Sequence, residues 1–171
     1  MDPYIYWKIT VSDVIQIVGL LITIWIAIIV QKNLTKNRYL KDYFINELRN
    51  VREEYKLFFS ELYSSKLNSK DIKNRLKILS MRLRSIDAYI DKYFSTKSSR
   101  LLDAHSEFQQ YITGEDEFNS QFKAKSIVFS ESVKTQILSF QGNIVDSLTQ
   151  RVVDVNNASK KFHWWFVRNK D

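Results

Sequence analysis

The sequence predicts an all-α protein: one N-terminal transmembrane helix that continues into a cytoplasmic antiparallel helical bundle. Three observations lead there. Residues 14–30 form an uncharged apolar run in which only Gln16 and Thr23 are clearly polar. Gly 3 and Pro 1 leave little turn punctuation in 171 residues. Beyond the run, apolar residues recur at three- and four-residue steps, the period of an amphipathic helix.

At ~1.5 Å per residue the apolar run spans roughly 26 Å as a helix, enough for a bilayer core. Its flanks set the orientation. Asp2, Lys8 and Asp13 precede it, whereas Lys32, Lys36, Arg38 and Lys41 follow it, opposed only by Asp42. Excess Lys and Arg marks the cytoplasmic side, so the N-terminus is expected outside and the C-terminal domain inside. Tyr4, Tyr6 and Trp7 suit an outer aromatic belt, and Tyr39, Tyr43 and Phe44 an inner one. A cleaved signal peptide is not expected. The start is acidic and aromatic, and Ala27, the one small residue near the end, is surrounded by Ile26, Ile28 and Ile29. Residues 1–31 therefore read as interfacial segment and single span, and residues 32–171 as the helical domain.

The polar and small residues of the span share one side. At ~100° per residue, Ser12, Gln16, Gly19, Thr23, Ala27 and Gln31 fall within a sector of roughly 120°. Two accounts fit. Small residues permit close helix approach while Gln and Thr hydrogen-bond across the contact. Alternatively the stripe lines a pore, wetted when several copies form a ring. Both require self-association.

Four helices are expected after the span. The first covers about 34–62, continuous with the membrane helix, with Leu40, Phe44, Leu48, Val51, Tyr55, Phe58 and Leu62 on its inner side. A turn at 64–69 follows, where Asn68 and Ser69 act as breakers. The second covers about 71–94, and its Ile72, Leu76, Leu79, Leu83, Ile86, Ile90 and Tyr93 form a regular heptad seam. The third covers about 97–113, with Leu101, Leu102, His105, Phe108 and Ile112 facing inward and Gly114 as its stop. Residues 114–125 are polar and read as a loop. The fourth covers about 126–159, where Gly142 is a weak point. Short connections between long amphipathic helices indicate an antiparallel bundle.

Composition narrows the chemistry. Cys 0 excludes disulfides, thiolate zinc sites and a cysteine nucleophile, and His 2 argues against a histidine metal site. No glycine-rich phosphate loop is present, and no cofactor or small-molecule substrate is expected. Lys70, Lys73, Lys77 and Arg84 share a helix face away from the heptad seam, and residues 66–84 contain a single acid, Asp71. Such a stripe can bind RNA, a nucleotide messenger or anionic lipid, or remain a solvated face. The net charge of +7 fits each of these. Near the chain end, Phe162, Trp164, Trp165 and Phe166 form an aromatic tail flanked by Lys160, Lys161 and Arg168. It requires cover, from its own bundle, from a neighbouring subunit or from the membrane interface.

One short motif could carry catalysis. Arg100 and His105 are separated by four residues. This Arg-x4-His element resembles the signature of the HEPN superfamily of helical bundles, many of them RNases. That resemblance implies that the His acts as general acid or base at a ribose hydroxyl or leaving oxygen and that the Arg stabilises developing phosphate charge. With the length, the single span and the helical domain, the element resembles the small membrane accessory proteins encoded beside the RNA-guided RNA nuclease of type VI-B CRISPR systems. That resemblance implies a HEPN-like bundle with a divergent motif, and Leu101, apolar where active members are usually polar, fits it. It also implies a ring-shaped homo-oligomer in the bacterial inner membrane that depolarises the cell during phage infection and strengthens RNA-targeting interference. Its partners would be other copies of the chain, membrane lipid, and an RNA-guided RNA nuclease or RNA. The functions to be distinguished are a non-enzymatic pore, a membrane-tethered HEPN-type RNase and a membrane-anchored adaptor.

Overall fold

The computed structural model describes residues 10–96 and 99–160. Seven elements follow in order: α1 (Val11–Tyr63), α2 (Ser69–Tyr93), β1 (Phe94–Ser95), α3 (Leu101–Gly114), α4 (Asp116–Ser120), α5 (Glu131–Asn157) and β2 (Ser159–Lys160). The fold is all-α apart from the two-residue antiparallel pair β1–β2. Packing divides the chain into two units, with the boundary after Leu40.

In the first unit, the Thr10 amide and hydroxyl donate to Asp13 Oδ2 at 2.8 and 2.7 Å, and the Asp13 amide donates to Thr10 Oγ1 at 3.3 Å. This reciprocal cap satisfies donors that a helix start leaves open. The helix that follows is long and apolar enough to cross a membrane. Every residue from 14 to 30 is exposed.

In the second unit the core is built from the expected stripes. Phe44, Leu48, Val51, Tyr55, Phe58, Phe59 and Leu62 of α1 are buried, as are Ile72, Leu76, Leu79, Leu83, Ile86 and Ile90 of α2. Side-chain contacts fix the directions. Arg75 pairs with Glu61, and Arg82 with Glu54 and Glu47, so α2 runs antiparallel to this part of α1. Tyr55 meets His105 and Phe58 meets Phe108, so α3 runs with α1. Tyr63 bonds Gln141 while Lys41 bonds the Asn156 carbonyl, so α5 returns antiparallel to α1. The result is four helices in alternating directions. α3 lies closest to α5 and α2, and the buried Ala104 leaves room for close approach.

The ends of α2 and α5 follow local chemistry. Asn68 accepts from the Asp71 amide, and Ser130 from the Val133 amide, as N-cap side chains do. The turn after α1 closes with Ser65 at φ 51°, the left-handed geometry that ends a helix.

Three expectations need correction. Residues 114–125 are not a plain loop, because α4 lies within them and Phe118 is buried. The last long helix starts at Glu131, not near 126, and the third helix at Leu101, not near 97. Ile127 and Phe129 instead enter the core from an extended segment. That segment is held by the Ile127 amide on the Leu67 carbonyl, by both ends of the Gln121 amide on Val128, and by the Ser130 amide on Glu117. Tertiary hydrogen bonds replace helical ones there. Leu102 is only half-buried.

Phe118→Ala should therefore cost about 3–5 kcal/mol in stability, read from urea unfolding of the detergent-solubilised chain. Phe122→Ala, at a 44 % exposed side chain, should cost much less.

Candidate functional site

The polar edge of α1 is the first candidate. Ser12, Gln16, Gly19, Thr23, Ala27 and Gln31 are all exposed and lie on one continuous helix. Thr23 Oγ1 donates to the Gly19 carbonyl at 2.8 Å. Its proton is thus satisfied within the helix, and its oxygen still offers lone pairs to the edge. Among the described residues nothing occupies the space that a Cβ at Gly19 would take. The edge is therefore smooth at Gly19 and polar on either side, with Gln16 the strongest hydrogen-bonding group. In an apolar phase an unpaired amide costs roughly 2–7 kcal/mol, so Gln16 requires a partner or water.

Arg100 and His105 are the second candidate, and the fold separates them. Five positions on a helix turn side chains roughly 140° apart. Arg100 precedes the first turn of α3, is exposed, and lines a cavity of about 370 Å³ with Ser99, Asp146, Ser147, Gln150, Arg151 and Asp154. His105 faces the other way and is 1 % exposed. Its Nδ1 lies 2.6 Å from the Tyr55 hydroxyl. Burial lowers the histidine pKa; the Leu76 backbone carbonyl opposes that shift, and the Arg84 charge adds to it. Burial also raises the Tyr55 pKa, so the phenol keeps its proton. Nε2 lacks a hydrogen bond of good geometry, although the Leu76 carbonyl acts on the ring. The arrangement places the ring proton on Nε2 and makes Tyr55 the donor to Nδ1. A neutral, buried imidazole held this way cannot reach a phosphate or ribose in this structure.

Sequence reasoning missed Arg151. It is 1 % exposed, although it sits on a long helix with no local sign of burial. Its Nη2 lies 2.7 Å from Asp87 Oδ1 and 2.8 Å from Asp91 Oδ1. Burial raises the Asp87 pKa, and the Arg151 charge opposes the rise. The side chains of Asp87 and Asp91 are 11 % and 53 % exposed, so the Asp87 contact is the desolvated one. The only sequence signal was the pair of acids four apart on α2, one of them next to the heptad seam.

Lys70, Lys73, Lys77 and Arg84 are all solvent-accessible. Lys73 Nζ lies 4.6 Å from the Phe122 ring centroid and 5.6 Å from that of Phe118, so part of its charge is engaged by aromatic faces. Arg75 and Arg82, in the same segment, are paired with acids of α1. Among the described residues no acid pairs with Lys70, Lys77 or Arg84. Nor does any group of three His, Cys, Asp or Glu among the described residues have the placement to hold a metal. Phe162, Trp164, Trp165 and Phe166, and the outer belt at Tyr4, Tyr6 and Trp7, lie outside the described residues.

Two predictions follow from the buried polar groups. Because the folded chain disfavours protonated His105, the unfolded chain binds more protons in acid. Stability should be full above the ordinary histidine value of 6.5 and fall as pH drops below it. His105→Phe should flatten that part of the curve, measured as the urea midpoint against pH. Arg151→Met strands the Asp87 charge and should cost about 3–5 kcal/mol near neutral pH. That loss should shrink as acid neutralises Asp87. No family model matches the chain, and neither does any curated protein or solved structure.

Proposed function

We propose that the chain is a single-pass protein of the bacterial inner membrane whose copies assemble through the polar edge of α1 into a ring-shaped pore. In this reading the N-terminus lies outside, the helical domain is cytoplasmic, and the pore acts in CRISPR-linked antiviral defence. It depolarises the membrane and thereby strengthens RNA-targeting interference. The observation that carries the pore is the exposed apolar helix with one hydrophilic edge. The apolar face needs lipid, and the edge needs either protein or water. A single helix cannot enclose a channel, so a closed ring of copies is the form that serves both.

The defence setting rests on the resemblance described above. Four alternating helices with Arg100 and His105 at the start of α3 are compatible with a HEPN-like domain. The buried, tyrosine-bonded His105 supports a structural role for that motif rather than RNA cleavage. The charges of Lys70, Lys77 and Arg84, which no acid pairs among the described residues, favour a second reading, a membrane-anchored adaptor that recruits RNA or an RNA-guided nuclease.

Gln16→Leu and Thr23→Leu should reduce dye entry and depolarisation in cells while membrane insertion is retained. Leu21→Ile, on the opposite face, should leave permeability unchanged. Full permeability in both edge variants sinks the pore. Replacing residues 12–31 by an unrelated span separates the remaining readings, because an adaptor survives the exchange and a pore does not.

A further inference from the structure

The bundle gathers basic residues that are far apart in sequence. Ser69 Oγ donates to the Phe122 carbonyl at 2.6 Å, and the Ile127 amide donates to the Leu67 carbonyl at 2.9 Å. These two bonds fasten the segment after α4 beside the start of α2, where Lys70 and Lys73 lie. Lys123 and Lys125 belong to that segment, and both are exposed. Lys73 joins the two pieces directly, with Nζ 4.6 Å from the centroid of the exposed Phe122 ring.

Along α2 the charges form a row. Seven residues turn a helix about 20° less than two full turns, so Lys70, Lys77 and Arg84 lie almost in line, about 10 Å apart. With Lys73 they fall within roughly 60° of the helix circumference and cover about 21 Å of its length. Asp71, the one acid of residues 66–84, sits roughly 100° round the helix from Lys70. Arg75 and Arg82, turned toward α1, are matched by Glu61, Glu54 and Glu47. Among the described residues no acid forms an ion pair with the row, nor with Lys123 or Lys125. Between Lys70 and Arg84, α2 thus keeps its matched and unmatched cations on different faces.

A line of cations with a phenyl ring at one end selects among anionic partners. An acidic peptide matches the charge but brings no flat group to the ring. A lipid surface takes up a broad apolar face, and this one offers a ring at one end only. A nucleic-acid duplex keeps its bases stacked inside. A single strand supplies both features, a phosphate at each nucleotide and a base with an open π-face.

We infer that the α2 face from Lys70 to Arg84, together with Lys123, Lys125 and the Phe122 ring, is a docking surface for single-stranded RNA. Phosphates follow the row, and a base stacks at Phe122 with Lys73 beside it. The inference rests on the adaptor reading and names its partner.

Fluorescence anisotropy of a labelled oligouridine of about 15 nucleotides, titrated with the full-length chain in non-ionic detergent, tests it. Contact with about four phosphates gives a log–log salt slope of about −2.8, so affinity should fall about 50-fold between roughly 50 and 200 mM salt. Lys70→Gln/Lys77→Gln should weaken binding and flatten the slope by about 1.4. Phe122→Leu should weaken binding about fivefold or more at an unchanged slope, and Phe122→Trp should restore it. Lys56→Gln, at an exposed α1 lysine paired with Glu53, should change nothing. Oligouridine that fails to bind, binds no better than an RNA duplex, or binds the lysine and Phe122 variants like the wild type overturns the inference. Polyglutamate or anionic vesicles that compete as strongly as oligouridine also overturn it, and leave an adaptor with a different partner. Loss of function on exchange of the span overturns the adaptor reading, and the inference with it.

Discussion

The apolar segment of α1 has no core to enter, and the other structural roles follow from that constraint. From Val14 to Val30 every large aliphatic side chain and Trp25 are exposed. Each is worth about 1.5–3 kcal/mol on full burial. Together they represent on the order of 20 kcal/mol or more of unfavourable hydration, beyond the roughly 5–15 kcal/mol that holds a whole domain folded. Such a surface favours an apolar phase over water. The core of the second unit is filled by its own Phe44, Tyr55, Phe58, Phe59 and the α2 seam.

The bundle itself depends on α3. It is the shortest of the four packed helices, and it carries two of the molecule's uncommon buried contacts, the Phe108 cluster and the His105–Tyr55 pair. Packing polar atoms there carries a penalty unless they are matched. The tyrosine hydroxyl satisfies one imidazole nitrogen, and the surrounding apolar groups keep the ring neutral. The same logic holds for Arg151, whose buried charge is met by Asp87 and Asp91. Both arrangements link helices that are far apart in sequence, and so specify which faces meet.

Two different surfaces divide the length of α1. Its first part presents an exposed hydrophilic edge, on which Thr23 bonds back to Gly19. Its second part is one wall of a domain whose C-terminal strand returns to the point where the helix enters.

Periodicity alone was enough for the long elements. The α1 and α2 stripes arise from local side-chain chemistry, which the order of residues contains, and the turn expected at 64–69 is one residue shorter because Ser69 already opens α2 behind the Asn68 cap. The apolar run was equally plain, since hydropathy needs no partner to be read. Three features were not legible: α4 with Phe118, the extended entry of Ile127 and Phe129, and the buried Arg151. Each is fixed by a partner distant in sequence: Ser69 on the Phe122 carbonyl, Leu67 on Ile127, and the α2 acids on Arg151. The helical period already turned His105 inward and away from Arg100. Only the packing of α3 against α1 brings the Tyr55 hydroxyl onto its ring, because a contact between helices is a property of the assembled surface and not of the chain.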